Sequence, residues 1–364
     1  MSITEVRYLR KNLLKAICFS VVFVQLFLSV SYMLRIVKTE NKDEIGNRDR
    51  MMGFYYLEED SLDMIMIGSS PVHPYWGASL AYKEYGFTSY PLSTDIQQPR
   101  MTSFLIEEAL KTQSPSVILV ETRMFMKTQE LYDNNELPTE YFWATLNNFK
   151  YSVERAKFIN SIEGIEKKLF LFDIMQYHET WKEFTVDNLS CWDWEKKNLY
   201  NGFYWVPRVQ KLDVIVDNAK IQDEMPIPKE QEKYFYQIID FTKKRNQKVV
   251  FILAPYQITE NDCKMANYME RIVAEAGYEY INFNKLNEEM DIDYSTDFYN
   301  GGHMNVLGAE KYTRYLGKLL QKKYNLPDHR GDEKYAQWDV DYEVWKQQAE
   351  VTKQQIYQLI DESK

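Results

Sequence analysis

Apolar residues fall along this chain in two alternating textures. Short unbroken runs occur at LDMIMIG (62–68), FTSYPL (87–92), SVILVE (116–121), KVVFILAP (248–255) and YEYINF (278–283). Between them lie longer stretches whose apolar residues recur every three to four positions, at 75–85, 99–112, 228–246, 261–276 and 306–324. A continuous apolar run of four to eight residues reads as a strand buried on both faces, and the longer periodic stretches read as helices. Ser114-Pro115 ends the helix over 99–112, and Gly277 ends the one over 261–276. Strands alternating with helices of this length make βαβ units. The expected fold class is therefore α/β, a three-layer α/β/α sandwich around a central parallel sheet. Ligands of such sheets gather beyond the carboxyl ends of the strands. The loops of interest follow Ile67, Leu92, Glu121 and Ala254, together with the segment before the last helix of the set.

Two regions break the alternation. Residues 127–225 are rich in Trp, Tyr and Phe and read as a mostly helical insertion packing over the sheet crevice. The tail, 335–361, carries Trp338, Tyr342, Trp345, Ala349, Ile356 and Leu359 at helical spacing, a stripe expected to pack on its own domain. The expected organisation is a stub and anchor over 1–38, the α/β domain with its insertion over 39–327, and a helical tail over 328–364.

The anchor is the run AICFSVVFVQLFLSVSYML, residues 16–34, nineteen positions without a charge. At about 1.5 Å per residue it spans roughly 28 Å as a helix, close to the hydrocarbon thickness of a bilayer. It is longer than the apolar region of a signal peptide and no small-x-small cleavage site follows it. Net charge sharpens this picture. The whole chain carries −10, but Arg7, Arg10, Lys11, Lys15, Arg35 and Lys38 against Glu5 give residues 1–38 a charge of +5, which leaves −15 on the remainder. Basic residues before the span and acids soon after it place the N-terminus in the cytoplasm and the body outside a single-pass cell-membrane anchor. An acidic body argues against nucleic acid as a partner. Cys18 lies in the span, and Cys191 and Cys263 are able to pair but specify no disulfide framework.

The chain has no Gly-x-Ser-x-Gly elbow, no His-Glu-x-x-His and no glycine-rich phosphate loop. Four histidines (His73, His178, His303, His329) argue against a multi-histidine metal centre. What remains is Gly68-Ser69-Ser70 at the end of the first strand. A serine there points into the crevice among free backbone N–H groups able to hold an oxyanion. Taken alone it also suits a plain helix cap, with Pro71 in the first turn. A base is offered by STDFYNGGHMN (295–305), where His303 follows Gly301 and Gly302 just before the last helix of the set. Glycines permit the sharp backbone that aims a side chain out of a loop. Alone, His303 reads equally as a loop histidine at a helix start. A serine after the first strand and a histidine before the last helix are more specific together than apart.

On these residues the chain resembles the SGNH (GDSL-type) hydrolases. In that family the nucleophilic serine is the third residue of a Gly-Asp-Ser-like motif after the first strand, and the histidine lies in an Asp-x-x-His motif before the last helix. Gly68-Ser69-Ser70 is similar to the first and His303 to the second. The likeness extends over 60–325 and is nearest to a membrane-anchored Gram-positive branch, through 82–123, 297–313 and the piece Tyr177, His178, Trp181. Departures are specific. Asn300 stands three before His303 where the family has Asp; Asp297, six before it, would supply a carboxylate if the turn folds back. The family's oxyanion glycine after the second strand is missing, leaving Thr94, Asp95 or Gln98 as donors. Arg123 follows the third strand where the family has Asn, free to bind an anionic group or to pair with Glu121.

The resemblance implies a membrane-anchored, extracytoplasmic serine esterase or O-acyltransferase. Ser70 would be the nucleophile and His303 the base, with Asp297 or Asn300 as its orienter and Gln98, Thr94, Asp95 and Arg123 as oxyanion or substrate contacts. No metal or organic cofactor is implied. The implied partners are an acylated cell-surface glycan, the membrane through residues 16–34, and a membrane acyltransferase. The rival expectation is a catalytically degenerate SGNH-like subunit that binds glycan or scaffolds an acyl-transfer complex.

Overall fold

A computed structural model describes residues 3–38, 42–128, 145–146, 148–163, 165–184, 200–214 and 216–362. In chain order its main elements are α1 (Ile3–Lys38), α2 (Lys42–Tyr55), β1 (Met64–Gly68), α3 (Ala78–Tyr85), β2 (Ser89–Ser93), α4 (Thr102–Ala109), β3 (Val117–Glu121), α5 (Val153–Ser161), α6 (Lys167–Leu171), α7 (Asp173–Tyr177), α8 (Lys229–Lys244), β4 (Val249–Leu253), α9 (Glu260–Glu275), β5 (Glu279–Asn282), β6 (Phe298–Asn300), β7 (His303–Met304), α10 (Val306–Tyr324) and α11 (Ala336–Glu362). They form two compact units, Met1–Ile45 with Phe149–Lys196, and Gly46–Asn148 with Lys197–Lys364.

The second unit is an α/β fold on a five-stranded parallel sheet of order β2-β1-β3-β4-β5. Every residue of β1, β2, β3 and β4 is buried, as continuous apolar runs in a parallel sheet require. Helix ends are set by local chemistry. Thr259 caps α9 by accepting from the Asp262 amide at 3.2 Å, and Asn305 caps α10 by accepting from the Leu307 amide at 2.9 Å. Gly86 ends α3 in the left-handed conformation at φ 87°, where a side chain would also strike Asp328. The tail helix α11 turns Trp338, Trp345, Ala349, Thr352 and Ile356 inward, with Trp345 and Ala349 packed against Leu80, Val306 and Ala309. The stripe thus serves its own unit. Leu359 stays 40% exposed, off the buried face.

Two features were not expected from periodicity. Helix α2 is rich in charge and polar residues, yet buries Met51 and Phe54, and Tyr90 donates to the Arg50 carbonyl at 2.7 Å. A two-stranded antiparallel hairpin, β6 with β7, carries the histidine segment.

In the first unit, α1 contains one stretch, Val6–Ser31, long and apolar enough to cross a membrane. Thr180 donates to the Leu34 carbonyl at 2.7 Å, and Phe172 meets Phe27 edge-on at 6.5 Å. Of the aromatic stretch 127–225, residues 149–196 group with α1 as one unit, and 127–148 and 197–225 belong to the other. Helices α5, α6 and α7 lie in the first part, while 201–214 has no regular element. Cys191 lies outside the described residues; Cys263 is buried as a free thiol.

Candidate active site

The carboxyl end of β1 delivers Ser70. Gly68 must lack a side chain, because a Cβ there would sit 2.6 Å from Glu121 Cβ and 2.8 Å from Val72 Cγ2. That close approach of β1 to β3 brings the turn after β1 over the strand ends. Ser69 ties this turn to the loop after β2 by accepting from the Gln97 amide at 3.1 Å. The Ser70 amide has no acceptor among the described residues.

The β6–β7 hairpin delivers His303. Its base is held by Asn305, whose side-chain amide donates to the Thr296 carbonyl at 2.7 Å and the Arg208 carbonyl at 3.2 Å. Its tip is tied to the loop after β4: the Gln257 amide donates to Gly301 O at 2.9 Å, and the Tyr75 hydroxyl lies 2.9 Å from Pro255 O and 3.0 Å from Gly302 O. Neither Gly301 nor Gly302 takes a positive φ. The histidine is aimed by this hairpin rather than by left-handed glycines.

Ser70 Oγ lies 2.7 Å from His303 Nε2, and His303 Nδ1 lies 2.9 Å from Asn300 Oδ1. The tautomer follows from the neighbours. The Gly302 amide donates to Asn300 Oδ1 at 2.9 Å, which fixes that atom as an acceptor, so His303 carries its proton on Nδ1. Nε2 therefore presents its lone pair to Ser70, as a general base must. Tyr299 stacks on the imidazole at 5.3 Å. Burial, then the adjacent Arg123 charge, then His73, push the imidazole down to about 3, against the smaller opposing effect of Asp95.

Asp297 is elsewhere. Its carboxylate accepts from Lys311 Nζ at 2.8 Å, the Asp293 amide at 2.8 Å and the Thr296 hydroxyl at 3.1 Å. Both oxygens are taken up by the turn before the hairpin and by Lys311 on α10, so Asn300 is the group on the imidazole.

Arg123 reaches the histidine. Its Nη2 lies 3.3 Å from His303 Nε2, its Nη1 donates to Gly302 O, and its guanidinium stands over the Tyr256 ring at 5.0 Å. Its hydrogen bond to Glu121 comes from the main chain, the Arg123 amide donating to Glu121 Oε2 at 3.2 Å. Glu121 is 3% exposed and its Oε1 has no partner among the described residues. Burial pushes its carboxyl up to about 7, Arg123 opposing.

The donors expected after β2 separate. Thr94 is wholly buried and bonds to the Thr145 hydroxyl at 2.6 Å. The Asp95 amide donates to Asn47 Oδ1 at 2.9 Å. Gln98 is 7% exposed, its Oε1 unpartnered among the described residues. Between them Ile96 takes φ 47°, a left-handed conformation costly for a β-branched residue, in the loop where a glycine was missed.

One network escaped sequence reasoning. Asp95 Oδ1 lies 3.3 Å from His73 Nε2, Asp95 Oδ2 lies 3.6 Å from Arg50 Nη2, and His73 Nδ1 lies 3.0 Å from Ser93 Oγ. Arg50 also donates to Asn47 Oδ1 at 2.5 Å and faces the Tyr204 ring at 5.5 Å. Burial, then Arg50, bring His73 down to about 4. Burial alone would raise Asp95, but His73, Arg50 and Asn47 outweigh it and hold the carboxylate ionised. The network fixes the loop that carries Ile96 and Gln98. Sequence reasoning reached Asp95 only as an oxyanion or substrate contact; His73, a rare residue three places after Ser70, was a further signal, and Arg50, in a polar helix, gave none.

Among the described residues no group of three or more His, Cys, Asp or Glu is arranged to hold a metal ion. The arrangement offers a hydroxyl, a neutral imidazole oriented by an amide, and a guanidinium at the same nitrogen: parts suited to acyl transfer. No model of a known protein family matches the chain, and no curated protein is significantly similar to it.

Proposed function

We propose that this protein is an SGNH-type serine esterase or O-acyltransferase, anchored by residues 16–34 with its N-terminus cytoplasmic and its α/β unit, a three-layer α/β/α sandwich, outside. The observation that carries the reading is the 2.7 Å contact of Ser70 Oγ with His303 Nε2, made between residues 233 positions apart, one on the turn after β1 and the other on the β6–β7 hairpin. Ser70 attacks an ester carbonyl as His303 takes its proton, and the imidazole returns that proton to the leaving oxygen. Asn300 holds the imidazole in the useful tautomer. The Ser70 amide and Gln98 receive the oxyanion. The substrate class, acyl esters of cell-surface polysaccharide, rests on the family resemblance and on the proposed topology.

A second reading, a degenerate subunit that binds glycan or scaffolds a membrane acyltransferase, draws support from Asn300. A neutral amide gives an imidazolium no charge to rest on. Hydrolysis of an aryl acetate by the detergent-solubilised full chain separates the two. Turnover abolished in Ser70→Ala and in His303→Ala supports the enzyme; wild-type turnover no greater than that of Ser70→Ala supports the binding subunit.

A further inference from the structure

Two donors address one lone pair at the centre of this site. The Ser70 hydroxyl lies 2.7 Å from His303 Nε2 and Arg123 Nη2 lies 3.3 Å from the same atom. A guanidinium has donors only, and Nδ1 already holds the imidazole proton, so both contacts compete for the Nε2 lone pair. In ester cleavage Nε2 has a second oxygen to meet. After taking the Ser70 proton it must deliver it to the departing alcohol, whose oxygen therefore comes within hydrogen-bond reach of Nε2. Arg123 Nη2, within 3.3 Å of Nε2, is the other group already at that atom.

The guanidinium is held there firmly. It is 7% exposed, donates through Nη1 to Gly302 O, and lies against the Tyr256 ring at 5.0 Å. A fixed donor of this kind needs no reorganisation when negative charge appears beside it. The site also has a use for one. With Asn300 on Nδ1 in place of a carboxylate, the imidazolium is poorly supported, and charge builds on the leaving oxygen before its proton arrives.

Resting on the Ser70 esterase reading, we infer that Arg123 is a catalytic residue of the leaving-group side, its Nη2–H hydrogen-bonding the alcohol oxygen as the carbonyl carbon–oxygen bond breaks. The proton balance is closed. Ser70 Oγ bonds to the acyl carbon and gives its proton to His303 Nε2. The carbon–oxygen bond to the alcohol breaks with its electron pair going to oxygen. That oxygen takes the proton from Nε2 while the guanidinium keeps its own.

Such a residue matters in proportion to how poor the leaving group is. The test is hydrolysis of p-nitrophenyl acetate and benzyl acetate by the full chain in detergent, as wild type, Arg123→Gln, Arg123→Lys and Ser70→Ala. Arg123→Gln is expected to lose about 10²-fold in kcat on the benzyl ester and less than about tenfold on the aryl ester. Arg123→Lys, which keeps the charge but not the planar fork, is expected to recover part of the benzyl-ester loss. The aryl ester reports directly on whether each variant remains folded and competent at Ser70. Equal losses on both esters, a loss confined to KM, or a wild type that cleaves only the aryl ester would overturn the role of Arg123 and leave Ser70 standing. Wild-type rates equal to those of Ser70→Ala on both esters would remove the Ser70 reading itself, and this one with it.

Discussion

Asn300 turns its amide oxygen to His303, Oδ1 lying 2.9 Å from Nδ1, and the Gly302 amide donates to the same oxygen at 2.9 Å. In a serine protease, exchanging the triad Asp for Asn costs about 10⁴ in kcat, largely by fixing the wrong tautomer. Here the Gly302 amide keeps the oxygen toward the imidazole, so the tautomer is the useful one and only the charge is lacking. Asn300→Asp is therefore expected to raise kcat on an aryl ester by about tenfold, and Asn300→Ala to lower it by about tenfold or more. Steady-state kinetics of the two variants check this; a rate unchanged in both would remove Asn300 from the site.

The pH profile follows from the charges around His303. Burial and Arg123 push its imidazole to about 3, so the neutral base persists well below the ordinary value of about 6.5. The expected kcat/KM is nearly flat from pH 7 to pH 5, where an unperturbed histidine would lose about 25-fold. Arg123→Gln removes a charge that opposes protonation, so its acid limb is expected to move to higher pH. A wild-type limb near pH 6.5 would contradict the electrostatics of the site.

Asp95 offers a stability test. It is the carboxylate partner of Arg50, 3.6 Å away, and the Arg50 side chain is only 3% exposed. Asp95→Asn takes from that buried guanidinium its foremost counter-charge, an expected loss of about 3 kcal/mol. Arg50→Met in the Asp95→Asn background is expected to regain part of it. Denaturant unfolding in a double-mutant cycle measures the coupling, and additive losses would show that the pair is not coupled.

Gly68 tests the approach of β1 to β3. An added methyl meets Glu121 Cβ at 2.6 Å, a contact that backbone-anchored atoms relieve only by shifting the strands. Gly68→Ala is expected to cost about 1–3 kcal/mol and to lower Ser70 reactivity with it. An unchanged Tm would contradict this.

Strand positions were readable in advance because a strand buried on both faces must be apolar throughout, as MIMIG and VVFIL are. Ser70 and His303 were readable for the same reason: strand ends and helix starts fix which loops face the crevice. Contacts between side chains were not. Asn300 held the expected spacing and Asp297 the expected carboxylate, and Lys311, on a different element, settles where the carboxylate goes. Arg123 beside Glu121 looked like a local pair, yet its guanidinium turns to Gly302 and His303. The Arg50–Asp95–His73 network joins three separate segments, which no local pattern reports. Helix α2 was missed because its few buried residues, Met51 and Phe54 among them, sit in a strongly polar stretch.

The central claim is that Ser70 is a nucleophile activated by His303. Labelling of the full chain by a fluorophosphonate probe measures this directly, since the probe bonds covalently only to an activated serine. The predicted result is one labelled site, Ser70, with labelling lost in Ser70→Ala and at least about 10²-fold slower in His303→Ala. Absence of Ser70-dependent labelling in the folded protein, or labelling indifferent to His303, would contradict it.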